Sequence, residues 1–166
     1  MSPIAEILQT ITNAPIEKRA ITNHGVLNEA FCYAKPSSFS RGMRIDLGNV
    51  TILLISGTAS IDEFGNSLHI GDFRAQMWRT LSNITGLLAS EGCTWHDIVR
   101  TTCYLRDIER DYEAFNEERT AFFKEKGLDP LPASIGIQAI LCRPELLIEI
   151  EAIAMFRTDK TVTSKE

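Results

Sequence analysis

The chain has 166 residues, which is the length of one ordinary domain. Hydrophobic residues make up 44% and charged residues 23%, a balance that excludes wholesale disorder and supplies enough apolar side chains for a core. The net charge of -5 argues against a nucleic-acid partner, and no apolar run is long enough to span a bilayer.

The first residues carry no basic segment followed by a long apolar run, so the sequence predicts a cytoplasmic protein without a signal peptide. No two cysteines form a CxxC pair, and we expect all four to be free thiols: Cys32, Cys93, Cys103 and Cys142. The three histidines do not lie at metal-ligand spacing, so we expect no metal and no cofactor.

Hydrophobic periodicity predicts a short amphipathic helix over 4–11 and then a β-hairpin. The hairpin strands cover 43–47 and 50–56, and Gly48-Asn49 between them is a typical turn. Three further strands are predicted over 98–105, 133–140 and 146–156.

Two helices complete the prediction. Residues 72–91 have Asp72 as an N-cap and Gly92 at the stop, and their apolar stripe is Phe73, Met77, Leu81, Ile84 and Leu88. Residues 111–126 have a stripe of Tyr112, Phe115, Phe122 and Phe123. The element order predicts an α+β fold in which two helices cover one face of a mixed sheet.

The last predicted strand has two unlike faces. The face expected beneath the helices is wholly apolar: Ile148, Ile150, Ala152, Ala154 and Phe156. The other face carries Leu147, Glu149, Glu151, Ile153 and Met155, with its two carboxylates about 7 Å apart. Because this second face is too apolar for a comfortable exposed surface, we expect other copies of the chain to cover it; the alternative is a solvated face.

Residues 147–154, Leu-Ile-Glu-Ile-Glu-Ala-Ile-Ala, resemble the closing strand of the Rid family, the YjgF-type reactive intermediate deaminases also called endoribonuclease L-PSP. Further matching segments are Ile55-Ser56-Gly57, Gly71-Asp72, Gln76, Asn83, 97–102, Asp107, Phe115-Asn116, Phe122-Phe123 and Pro132-Ala133-Ser134. The resemblance runs from about 39 to 156. It implies a chorismate-mutase-like subunit and a homotrimer with small-molecule clefts between subunits, in which 1–30 are an N-terminal extension, 31–157 the Rid-like domain and 158–166 a polar tail.

Deaminases of this family hydrolyse 2-imino or 2-enamino acids to 2-keto acids and ammonia. The resemblance implies that Glu149 is the catalytic residue that orders the attacking water, and that Ser56 and Asn116 are substrate-binding residues. As an alternative, Glu149 is an interface ion pair with Arg100, while Glu151 is expected to be structural.

Three positions depart from the family pattern. Phe39 stands for the cleft tyrosine, Gly136 for a cysteine, and Ser134 for the arginine that binds the substrate carboxylate. Serine cannot replace a bidentate guanidinium, so standard deaminase activity is doubtful. Arg41 is the candidate replacement, and the alternative is a surface arginine at the start of a strand.

Segments 38–41, 56–61, 69–72 and 133–137 also resemble the C-terminal half of chorismatases, which hydrolyse or rearrange chorismate with a glutamate as acid. Two classes of function therefore stay open. One is an enzyme, deaminase-like or chorismatase-like, that acts on a small unsaturated carboxylate, enamine or imine. The other is a trimeric ligand-binding protein that has lost the chemistry.

Overall fold

The computed structural model describes residues 16–158, which build a six-stranded sheet and two long helices. The strands are β1 (Glu17–Ala20), β2 (Gly42–Leu47), β3 (Val50–Ala59), β4 (Ile98–Leu105), β5 (Ala133–Gln138) and β6 (Ile148–Arg157), and the helices are α1 (Phe73–Ser90) and α2 (Ile108–Glu125). The spatial order is β1-β2-β3-β6-β4-β5, and only β4 and β5 pair in parallel. The expected α+β class is confirmed, while the helix predicted over 4–11 lies outside the described residues.

Helix α1 follows its prediction closely. The Asp72 side chain accepts a hydrogen bond from the backbone nitrogen of Ala75 at 3.0 Å, which caps the first turn. Gly92, with φ +71°, follows the last turn in the left-handed conformation that favours glycine. All five residues of the predicted apolar stripe are buried against the sheet: Phe73, Met77, Leu81, Ile84 and Leu88.

Helix α2 begins three residues earlier than predicted, because Asp107 caps it by accepting a hydrogen bond from the backbone nitrogen of Arg110. Phe115 is buried as expected, but Tyr112 is 53% exposed, so its prediction as a core residue is wrong. Asp111 takes the buried position beside it, and the Tyr112 ring only touches that of Phe115, at 6.4 Å between centroids. Neither long helix of the described part is long and apolar enough to cross a membrane.

Strand β3 continues three residues beyond its predicted end. Its pairing with β6 changes register between Ile55 and Thr58, so Ser56 and Gly57 form a β-bulge. The prediction missed β1, whose residues Glu-Lys-Arg-Ala carry no apolar alternation and pair along the edge of β2. Residues before 31 also enter the core, since Ile21 and Leu27 are fully buried; the domain boundary at 31 stays a prediction.

The two faces of the sheet differ as the last strand predicted. On the helix-covered face of β6, four side chains are at most 2% exposed: Ile148, Ile150, Ala152 and Ala154. On the other face, hereafter the open face, apolar side chains are 40–45% exposed: Leu54, Ile135, Ile137 and Met155. A group of partly exposed apolar side chains on one face of a sheet is typical of a surface that binds a partner.

Candidate functional site

A pocket of about 490 Å³ opens beside the bulge of β3 and the start of β6. It brings together four of the residues predicted for the site: Phe39, Arg41, Ser56 and Glu149. Its wall also contains residues that the sequence did not single out, among them Tyr33, Gly57 and Arg143. No three His, Cys, Asp or Glu side chains within residues 16–158 are grouped so that they could hold a metal ion.

Glu149 is an acidic residue of this pocket whose pKa is raised. Burial raises the pKa of its carboxyl above the ordinary value, and the negative charge of Glu151, two residues along β6, raises it further. A carboxyl group that keeps its proton to higher pH can donate that proton to a substrate and then take one from water. The position therefore suits general acid-base chemistry.

The bulge brings the backbone of β3 directly against this carboxyl group. A β-carbon on Gly57 would lie 2.0 Å from Oε1 of Glu149, so no other residue fits there without moving the acid. Two hydrogen bonds fix Ser56. Its hydroxyl donates to the backbone oxygen of Ser40 at 2.7 Å, and its backbone nitrogen donates to the backbone oxygen of Arg41 at 3.1 Å. The lone pairs of the Ser56 hydroxyl remain available to a ligand.

Two buried amides of α1 hold the strand ends that carry the site. Asn83 donates to the backbone oxygen of Ala59 at 3.0 Å and so ties down the end of β3. Gln76 donates to the backbone oxygen of Glu145 and accepts from the backbone nitrogen of Leu147, at 2.9 and 2.8 Å. These bonds fix the bulge and the start of β6 relative to one helix.

The loop between β5 and β6 forms one wall of the pocket. Arg106 holds it by donating to the backbone oxygens of Leu146 and Arg143. Arg143 in turn donates through Nη1 to the backbone oxygen of Gly65 and, at 3.1 Å, to Oγ of Ser67. The Arg143 guanidinium is thereby fixed at the pocket wall.

The other three predicted site residues lie elsewhere in the subunit. Ser134 and Gly136 are on the helix-covered face of β5, where Gly136 backs onto Phe115. Arg119 joins Ser134 to Asn116, since its guanidinium donates to the Ser134 hydroxyl at 3.3 Å and to the Asn116 side-chain oxygen at 2.6 Å. Arg119 and Ser134 line a second groove, of about 760 Å³, at the β5 edge. One subunit alone does not bring these residues to Glu149.

Sequence reasoning did not predict Tyr33, Gly57 and Arg143 as residues of the site. A signal for Gly57 was available, because a glycine inside a strand pattern often marks a bulge or a close approach. No local pattern indicates Tyr33 or Arg143, which lie 110 residues apart and meet only through the fold.

A family model described as Endoribonuclease L-PSP matches residues 34–156. A RutC family protein of Haemophilus influenzae is 32% identical over 111 residues, which cover 67% of this chain and 82% of the relative. The 3-aminoacrylate deaminase RutC of Acinetobacter baylyi is 33% identical over 103 residues, which cover 62% of this chain and 78% of the relative. The crystal structure of the YjgF gene product of E. coli matches with a TM-score of 0.66 and 27% identity, over 82% of this chain and 97% of that one. The chain therefore belongs to the endoribonuclease L-PSP family, that of the RutC and YjgF (Rid) proteins.

Proposed function

We propose that the protein is a hydrolase of the deaminase type that acts on a small unsaturated carboxylate bearing an enamine or imine nitrogen. The observation that carries this proposal is the Glu149 carboxyl, which has a raised pKa and is packed against Gly57 in a pocket of about 490 Å³. Such a group is suited to moving protons to and from a substrate.

The reaction uses one water molecule and releases one ammonia. Protonated Glu149 donates to the enamine carbon, which yields an iminium ion and a Glu149 carboxylate. The carboxylate then takes a proton from the water that attacks the iminium carbon, so that a C–O bond forms. The nitrogen receives this proton from Glu149 and the C–N bond breaks. As ammonia leaves, the new hydroxyl group loses its proton to the Glu149 carboxylate, so a keto or aldehyde acid remains and Glu149 is protonated again. Ser56 lines the same pocket, and the role proposed for it is to orient the water or the nitrogen.

The substrate class is supported by one relative and by charge. The Acinetobacter baylyi relative is named for 3-aminoacrylate, which is an enamine of a small acid. The family description also contains the word endoribonuclease, but the net charge of -5 disfavours binding of a polyanion. We therefore propose a small molecule, and not RNA, as the substrate.

We further propose that the working unit is a homotrimer. The open face exposes Leu54, Ile135, Ile137 and Met155, which a second copy would cover. Because the family resemblance implies clefts between subunits, we propose that the β5-edge groove of one subunit faces the pocket of the next. Asn116, Ser134 and Gly136 then belong to the same cleft as Glu149, and their substrate-binding role stays a proposal.

Ammonia release tests the activity. The protein is supplied with 2-aminoacrylate, formed in place from serine by a dehydratase, and with 3-aminoacrylate, and ammonia release is measured above the buffer rate. Glu149→Gln is expected to lose about 100-fold or more of the rate, because the proton donor is gone. Glu113→Gln, on the exposed surface of α2, is the control. An unchanged rate in Glu149→Gln would contradict the proposal.

A further sample, in which the protein is incubated with chorismate, separates two alternatives. A chorismatase-like enzyme would release pyruvate from chorismate and leave both enamines untouched. A protein that only binds ligands would turn over none of these substrates. The specific observation that favours this last function is Ser134, which replaces the carboxylate-binding arginine that the family resemblance predicts there.

A further inference from the structure

One side of the pocket contains buried polar groups that the described chain leaves without partners. Arg41 is 3% exposed and lines the pocket, yet its Nη2 has no hydrogen-bond partner within residues 16–158. The hydroxyl of Tyr33, which lines the same pocket, forms no hydrogen bond of good geometry in that part of the chain, although it lies close enough to the Arg41 guanidinium for each to act on the ionisation of the other. A buried guanidinium nitrogen without a partner costs free energy, so a structure that keeps Nη2 of Arg41 unpaired in a pocket points to a ligand.

Arg41 is held in one position by its other contacts. Its Nε donates to the backbone oxygen of Asn28 at 2.9 Å. Its guanidinium carbon lies 4.9 Å from the ring centre of Tyr33 and 5.2 Å from that of Phe39, so that two aromatic rings contact the cation. A planar cation that is already fixed loses little conformational freedom when it binds a carboxylate.

A second cation lies at the same side of the pocket. Arg143 is close enough that its positive charge acts on the ionisation of both Arg41 and Tyr33. Neither arginine forms a salt bridge with an Asp or Glu among residues 16–158. Two like charges near each other repel, and an anion between them would remove this repulsion.

Two acidic side chains, Glu29 and Asp62, act electrostatically on Arg41 and Tyr33, and Glu149 and Glu151 line the same pocket. Glu29 is 4% exposed and acts electrostatically on Arg41, but its carboxylate oxygens bond to nothing in residues 16–158. It offsets one of the two positive charges. Asp62 acts on Tyr33, but it already accepts hydrogen bonds from the backbone of Phe64 and from Asn66 in its own loop. A ligand with a single negative charge, a carboxylate, therefore fits better than a phosphate dianion.

We propose that Arg41, Arg143 and Tyr33 form a carboxylate-binding subsite within the same pocket as Glu149. Binding of a carboxylate at the two arginines does not depend on the proposed function. The orientation of the ligand does rest on it, because the proposed reaction needs the reacting carbon to point toward Glu149. The guanidinium missing at Ser134 is thereby supplied from another part of the fold. A single chain then contains both the carboxylate anchor and the acid.

Direct binding tests the subsite without any turnover. Pyruvate, a product expected from 2-aminoacrylate, and the neutral analogue pyruvamide are titrated into the whole chain and followed by NMR chemical shifts. The wild type is expected to bind pyruvate and not pyruvamide. Arg143→Gln is expected to weaken pyruvate binding about tenfold or more, because a charged bidentate contact is lost. Tyr33→Phe and Arg41→Lys are expected to weaken it by smaller factors, and Arg74→Gln, on the exposed surface of α1, not at all.

Thermal melting first shows which variants are folded. If the Arg41→Lys variant does not fold, because Arg41 is buried, Arg143→Gln still tests the subsite. Equal pyruvate affinity in wild type and folded Arg143→Gln would overturn the subsite. So would equal binding of pyruvamide, a wild type that binds no pyruvate, or loss of binding in Arg119→Gln alone. Glu149→Gln separates the two proposals, since it is expected to keep pyruvate binding. If the subsite variants behave as expected while no substrate is turned over, only the proposed reaction fails.

Discussion

The carboxyl group of Glu149 occupies the space that a β-carbon on Gly57 would fill. An ideal β-carbon there would lie 2.0 Å from Oε1 and 2.9 Å from Cδ of Glu149. Gly57 is in the bulge of β3, and the bulge interrupts the pairing with the strand that carries the acid. The position of the Glu149 carboxyl group thus depends on a glycine, Gly57, in the neighbouring strand β3.

Gly57→Ala is expected to displace the Glu149 side chain, because the added methyl group and the carboxylate cannot share the space. A displacement of about 1 Å lowers turnover by up to about 100-fold. The measurement is the rate of ammonia release together with the melting temperature. Gly25→Ala is the control, since a β-carbon at that exposed turn meets its nearest atom at an ordinary 3.7 Å. Full activity in a folded Gly57→Ala variant would contradict the assigned role of Glu149.

Glu149 is expected to make the stability of the protein decrease with rising pH. The folded chain raises the pKa of this carboxyl above its ordinary value of 4.5. The unfolded chain therefore releases a proton above pH 4.5 that the folded chain still holds, and the free energy of unfolding falls until pH passes the folded pKa. Glu149→Gln has no such proton to lose.

The measurement is the melting temperature of wild type and Glu149→Gln between about pH 4 and pH 8. The melting temperature of the variant minus that of the wild type should increase with pH and then level off. Glu113→Gln, on the exposed surface of α2, is the matched control. A difference that shrinks as pH rises would mean that folding does not raise the pKa of Glu149.

Much of the fold can be predicted from local patterns. The alternation in 146–156 is enough to assign both faces of β6, because one face is buried and every second side chain must then be apolar. The stripe and caps of α1 predict its bounds within one residue of the helix observed, Phe73–Ser90. Strand β1 has no such pattern, since its residues are mostly charged and are held by the edge of β2.

The site is less visible in the sequence, because its geometry comes from long-range packing. Glu149, Ser56, Phe39 and Arg41 were predicted and do line one pocket. The contact between Gly57 and Glu149 depends on a bulge, which is a change in pairing register that no single strand encodes. The approach of Arg143 to Arg41 depends on how two distant loops fold over the sheet.

Asn83→Ala is expected to lower the free energy of unfolding by about 1–3 kcal/mol, because two buried hydrogen bonds are lost, those to the backbone oxygens of Ala59 at the end of β3 and of Ile61 just after it. Urea unfolding measures this loss. Asn66→Ala, which removes an exposed amide from a loop, is the matched control and is expected to cost less. If both variants cost the same, the buried amide is not what holds the bulge in place.

Met155→Glu is expected to convert the proposed trimer into monomers, since it places a charge in the open face that other copies are proposed to cover. Sedimentation analysis of wild type and variant gives the masses directly. Ile140→Glu is the control, because Ile140 is 95% exposed in the loop after β5 and not on the sheet. A wild type that sediments as a monomer would rule out a cleft between subunits.

The hydrogen bonds of Arg106 hold the backbone of one pocket wall independently of the side chains that this wall carries. Arg106 holds the loop between β5 and β6 by donating to the backbone oxygens of Leu141, Arg143 and Leu146. Every residue has a backbone oxygen, whatever its side chain. Substitutions at Cys142 and Arg143 therefore leave these hydrogen bonds, and the backbone path of the loop, unchanged. Substrate range can therefore diverge among relatives through this loop, while the acid on β6 and the bulge opposite it stay unchanged.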